Sequence, residues 1–228
     1  MNSSTISPDT LEFLRDLQEN NYREWFYEHK GRYESAHANM IAFADGLIDR
    51  MSDEDKLVPM TGKKSLFRIY RDVRFSKDKS PYKKSMSGRL KRATQWLRGG
   101  YYYHIEPGNS FIAGGFWAPN KEDLKMIREE LATDAQPLRN ILADSTFKQM
   151  FGSLRGEGVK TAPKGFDKTH PDIDLIRMKQ FIVHRDFRDE QVLAESFLEE
   201  VVETYLAMQP FFNYMGDILT AHLSDDDK

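Results

Sequence analysis

An α+β fold, with a central and mostly antiparallel sheet packed by N- and C-terminal helices, follows from three features of the sequence. Apolar residues at helical spacing occupy both ends of the chain, and period-two alternation is confined to the middle. Strands and helices do not alternate in the way that βαβ units require.

Taken in order, the first helix is announced by Ser7 as N-cap, Pro8 at the first helical position and acidic Asp9 and Glu12 near the positive end of the dipole. Leu11, Leu14 and Leu17 form its apolar face, and Ile6 with Leu11 suits a hydrophobic staple. After Asn20-Asn21, residues Tyr22 to Met51 read as a short helix and a longer one, carried by Tyr33, Ala36, Met40, Ile41, Ala44, Leu47, Ile48 and Met51. Leu66 to Phe75 changes period. Phe67, Ile69, Val73 and Phe75 alternate with Arg68, Tyr70, Asp72 and Arg74, which predicts a half-buried strand with Arg71 as the one charge on its apolar face. Such a charge must be buried against a carboxylate or backbone carbonyls, because alone it is too costly.

Two more strands are expected at Tyr101 to Glu106 and Ser110 to Trp117, joined by the turn chemistry of Pro107-Gly108-Asn109. Gly114-Gly115 within the second points to a bulge or a close backbone approach. Asn120 caps a helix over Lys121 to Leu131, and Pro137 to Met150 supplies one or two shorter pieces. Gly152 to Pro171 reads as loop, Asp172 to Lys179 as a short helix and Gln180 to Arg185 as a strand. Glu190 to Leu223 reads as two helices broken near Pro210.

With 39% hydrophobic and 12% aromatic residues, a chain of 228 residues can bury one large core, so a single domain over 1–228 is expected, with a disordered end at about 224–228. The mean hydropathy is -0.65, and no apolar run approaches the roughly 20 residues of a membrane-spanning helix. The first residues lack the pattern of a secretory signal. The absence of cysteine removes disulfides, thiolate ligands and thiol nucleophiles. A cytoplasmic protein without a membrane association is expected.

A net charge of -3 hides an uneven distribution. Between Lys63 and Arg98 stand thirteen basic residues against Asp72 and Asp78, a net of +11, which leaves -14 on the rest of the chain. The partner of that segment should be anionic. Arg68, Arg74, Lys77, Lys79, Tyr82 and Lys83 are the anion-binding candidates: arginine gives planar bidentate donors, lysine mobile charges, and Tyr82 a ring to stack or a hydroxyl to donate. The competing reading is an ion network of Arg68, Asp72 and Arg74 beside a solvated lysine loop.

His104 and Glu106 share a strand face and suit an acid/base pair, with Asp72 and Tyr70 as further catalytic candidates. Two such groups do not make a metal centre, and no metal or cofactor is expected. The glycines of Gly152 to Gly165 lack the spacing of a phosphate loop, and no serine sits in a nucleophile elbow. Trp25, Phe26 and Tyr27 read as packing residues.

Three stretches, Arg68 to Lys83, Tyr101 to Pro119, and Pro163 to Asp167 with His170-Pro171, give a resemblance to the family called domain of unknown function 2461. The Trp25-Phe26 region and the surrounding helices fit as well. The resemblance implies a cytoplasmic single-domain protein and carries no catalytic assignment. Three readings remain open: a binding protein for a phosphate-bearing ligand (nucleotide or nucleic acid), an enzyme acting on an anionic small molecule, and a protein-interaction module. The oligomeric state is not legible.

Overall fold

The computed structural model describes residues 4–223, so the end expected to be disordered lies outside the described residues. Ten helices and four strands fall within them. The strands form an antiparallel sheet in the order β1-β2-β3-β4, with β1 at Met86–Lys91, β2 at Gly100–Ile105, β3 at Ser110–Phe116 and β4 at Phe181–Phe187. The chain divides into two compact units. The first comprises residues up to Leu90, Tyr102–Ile112 and Asp186–Glu203; the second comprises Lys91–Tyr101, Ala113–Arg185 and the residues from Thr204 on.

In the first unit, α1 (Pro8–Glu19) starts as expected, with the Ser7 hydroxyl accepting from the Asp9 amide and Pro8 in the first turn. Helices α2 (Arg23–Glu28) and α3 (Lys30–Ser52) follow. Phe13 of α1 is fully buried among Trp25, Phe26 and Tyr33, with ring centres 6.0 to 6.4 Å away. Phe43 of α3 packs edge-on against Tyr103 of β2 and stacks on Phe197. Of the three aromatics read as packing residues, Phe26 is buried, Trp25 stacks on His29 at 4.1 Å, and Tyr27 points to solvent. A further short helix, α4 (Gly62–Ser65), places Ser65 Oγ 2.9 Å from the Tyr103 hydroxyl. Burial, slightly relieved by that bond, pushes the Tyr103 phenol well above its usual range.

One expected strand needs correction here. Leu66 to Phe75 is not a regular strand: it touches its neighbours through single bridges, Leu66 to Gly88 and Tyr70 to Tyr82. The alternation is present but short, since Ile69 is buried while Phe67 and Phe75 at its ends are exposed. An amphipathic stretch this irregular leaves most of its backbone outside a ladder. The first true strand is β1, whose Met86, Gly88 and Leu90 are buried while Arg89 and Lys91 are exposed. Its run of serine, glycine and basic residues lacks the β-branched and aromatic content by which strands are recognised. Gly88 is required there, because a Cβ would collide with the Tyr103 ring and hydroxyl.

The second unit holds α5 (Lys121–Thr133), α6 (Gln136–Ala143), α7 (Ser145–Phe151) and α8 (Ile173–Ile176), close to the expected spans, with the Asn120 side chain capping α5. Tyr101 packs against Tyr205 and Phe212, and Phe116 meets Phe212 edge-on. Gly115, at φ 133°, lies so close to the Phe181 carbonyl that no side chain fits, which is the close approach expected of Gly114-Gly115.

After α9 (Asp189–Val192), α10 runs from Phe197 to Thr220 with Pro210 inside it, so the expected break is absent. Pro210 sits on the exposed side, where water can satisfy the carbonyl its missing N–H leaves free. The buried Met208, Phe211, Phe212 and Met215 hold the helix to its core on both sides of the proline.

Candidate anion site and the acid-base chain on the sheet face

Strand β2 alternates strictly: Tyr101, Tyr103 and Ile105 are buried, while Tyr102 and His104 stand half-exposed on the other face, with Glu106 continuing the row. Glu106 Oε2 accepts from His104 Nε2 at 2.9 Å, and His104 Nδ1 lies 2.9 Å from the Tyr102 hydroxyl. With the carboxylate accepting, Nε2 carries the ring proton and Nδ1 accepts from Tyr102. The Ser87 hydroxyl of β1 extends the chain to the Tyr102 oxygen. Burial raises the Tyr102 pKa, the Ser87 bond opposes the rise, and the Glu106 charge adds to it.

The chain is firmly held. The His104 ring stacks on Phe111 of β3 at 4.5 Å and 12°. Asn109 Nδ2 and Gln18 Nε2 donate to the Glu106 carboxylate at 3.0 and 3.4 Å. Among the described residues no cluster of three or more His, Asp and Glu side chains converges as metal ligands.

Phe67 connects this face to the basic segment. Its amide donates to the Ser87 carbonyl and its ring centre lies 6.3 Å from that of Tyr102. Two cations flank the ring, Lys83 Nζ at 5.3 Å and the Arg89 guanidinium at 5.8 Å from its centre. Burial, reinforced by the nearby Arg68 charge, pulls the Lys83 pKa below that of an ordinary lysine. None of Arg68, Lys83 and Arg89 forms an ion pair with a carboxylate among the described residues.

Arg71, Arg74 and Lys79 of the basic cluster are engaged. Asp72 grips Arg74 through both carboxylate oxygens, with the shortest contact 2.6 Å, and this bond is the main reason that its pKa is lowered. Lys79 donates to the Val73 carbonyl at 3.0 Å, and Lys77 is exposed without a partner among the described residues. Arg71 is half-buried rather than fully buried, and it has the partners expected of it: Asp78 at 2.6 Å and the Ser80 carbonyl at 3.1 Å.

Tyr82 must be withdrawn as a stacking residue. Its ring is 2% exposed and lies flat on Phe26 at 4.0 Å, because the chain at 81–83 turns inward to pair with Ile69 and Arg71. Asp72 and Tyr70 do not join His104 and Glu106 either. Asp72 is held by Arg74, and the Tyr70 ring contacts Phe26 and Tyr82, since the segment leaves the sheet after Phe67. Sequence reasoning missed Tyr102, Ser87, Phe67 and Arg89 as parts of one surface. The signal for Tyr102 was available, two residues before His104 on the same strand face. That for Arg89 was not, since β1 went unrecognised.

The fold and this surface define an α+β protein whose antiparallel sheet carries a basic edge and a Tyr-His-Glu chain. The chain belongs to the family described as "Conserved hypothetical protein (DUF2461)", whose model matches residues 9–214. No curated protein and no solved structure matches it. No helix among the described residues is long and apolar enough to cross a membrane.

Proposed function

We propose that the protein binds a phosphate-bearing ligand, a nucleotide or nucleic acid, through its basic strand-to-loop segment, with Arg68, Lys83 and Arg89 around Phe67 as the main contacts. The observation that carries this reading is the cluster itself. Two of these cations crowd the Phe67 ring, Arg68 lies close enough to disfavour the charge on Lys83, and no carboxylate forms an ion pair with any of the three, Asp72 acting on Arg68 only at longer range. An arriving phosphate removes that repulsion and accepts directed bonds from the arginines. Lys77 and Lys79 add field at the far end of the segment, where Arg74 is offset by Asp72.

Calorimetric titration with pyrophosphate and nucleoside triphosphates at two salt concentrations tests it. Binding at low salt that is weakened by Arg68→Ala and Lys83→Ala supports the reading; wild-type protein that binds neither probe rejects it.

A second reading, an enzyme acting on an anionic small molecule, is favoured by the Tyr102-His104-Glu106 chain, which can take and return a proton beside those cations. Turnover of a chromogenic phosphate ester that His104→Ala abolishes while pyrophosphate still binds would separate it from binding alone.

A further inference from the structure

The loop over 71–80 presents Phe75 at its tip, and Phe75 is 97% exposed, far more than any other large apolar residue of the described chain. A ring so exposed offers a face on which a planar partner can stack. The loop is also built rigidly. Ser76 closes a turn by donating to the Val73 carbonyl at 3.3 Å, Asp72 grips Arg74, and Lys79 ties back to Val73. Below these, Arg71 reaches Asp78 and the Ser80 carbonyl, and Asp78 accepts from both the amide and the hydroxyl of Ser80. The backbone that carries the ring is therefore pre-ordered, and the Arg74 guanidinium lies 6.0 Å from the ring centre.

Beside the loop lies an open hollow of about 410 Å³, walled by Tyr22, Arg23 and Glu24 on one side and by Val73, Lys79 and Pro81 on the other. Its two walls are joined: the Asn21 side chain donates to the Tyr82 carbonyl and accepts from the Tyr82 amide, both at 3.0 Å. The hollow is shallow and open, a surface for an extended chain rather than an enclosing pocket. Tyr22 is 50% exposed at its edge, and Arg23, Lys77 and Lys79 have no carboxylate partner among the described residues.

An exposed ring, a second exposed aromatic and cations that form no ion pair suit a strand whose bases are unpaired, because a base face stacks on the ring while its phosphates meet the cations. A duplex offers no such face. A bilayer needs more apolar area than one ring among charged neighbours can give. We propose that Phe75 and the adjoining hollow bind single-stranded nucleic acid, one base stacking on Phe75, the next nucleotide seated against Tyr22, and the phosphates on Arg23, Lys77 and Lys79. This rests on the anion-binding reading above and names the class of its ligand.

The test is fluorescence anisotropy with labelled oligothymidylate and oligouridylate at two salt concentrations, alongside pyrophosphate calorimetry on the same proteins. Phe75→Ala should weaken oligonucleotide binding by about tenfold or more and Phe75→Trp should retain it, with pyrophosphate affinity unchanged in both. Lys77→Ala should lower the salt slope by about one phosphate contact. Phe75→Ala binding as well as wild type, or a duplex competing as well as the single strand, overturns the proposal. Pyrophosphate binding without oligonucleotide binding also overturns it and leaves the anion-binding reading standing; binding of neither removes both.

Discussion

Lys83 lies over the face of Phe67, its Nζ 5.3 Å from the ring centre, in a position that burial and the Arg68 charge make unfavourable for a cation. A folded-state pKa below the unfolded value means that the protonated form opposes folding. The penalty is present below the folded pKa and disappears as pH rises past the unfolded one. Lys83→Met should therefore leave stability at neutral pH unchanged or raise it by no more than about 0.5 kcal/mol, while removing anion affinity. Urea melts paired with pyrophosphate titrations check this. Loss of both together would make Lys83 a structural residue.

The same depression sets a pH limit on binding. Anion affinity should fall as pH rises at a lower value than an ordinary lysine, near 10.4, would impose. A pH series of titrations on wild type and Lys83→Arg measures it, the arginine holding its affinity to higher pH.

Arg71 and Asp78 tie the base of the loop that carries Phe75. The Ser80 hydroxyl and amide, followed by the Arg71 guanidinium, hold the Asp78 carboxyl far below the usual carboxylate range. A depressed pKa of this kind gives stabilisation that is present above about 3.9 and is lost only as pH falls through the folded value. The clamp should thus survive to a pH well under 4. Arg71→Met should raise amide exchange across 73–80 while the global unfolding midpoint moves little, since the pair is half-exposed. Unchanged exchange would show that the loop is ordered by something else.

The positions that made the fold legible were those where local chemistry and tertiary packing agree. Ser7, Pro8 and Asn120 cap helices as their residue types require, and Pro107-Gly108-Asn109 turns β2 into β3. The failures have physical causes. Arg68 to Arg74 keeps the two-residue period of a strand, but its backbone bonds to Pro81 and Lys83 make a single bridge at Tyr70 and Tyr82, and its side chains turn to the loop instead of a ladder. Pro210 breaks a helix by propensity, yet the buried residues on both sides of it outweigh one lost bond. Half of the candidate site was legible because charge clusters in sequence. The pairing of Arg74 with Asp72 and the burial of Tyr82 depend on how the segment curls, which alternation does not encode.

Gly88 and Tyr103 supply a packing test of the corrected first strand. A methyl group at position 88 would strike the Tyr103 ring, so Gly88→Ala should cost about 1–3 kcal/mol by denaturant melting. A neutral effect would place β1 in a different register.

β2, β3, β4 and α10 each contribute residues to both compact units, so we expect the chain to unfold as a single cooperative domain. Coincident transitions by tryptophan fluorescence and circular dichroism would agree, and two separated transitions would not.

The proposed site is Lys83 and Arg89 over Phe67 with Arg68 nearby, none of them in an ion pair with a carboxylate. Calorimetric titration of the wild-type protein and of the Arg68→Ala/Lys83→Ala double variant with pyrophosphate at low salt tests it most directly. The account predicts saturable binding by the wild type that is lost in a folded double variant, and equal titration curves for the two proteins would contradict it.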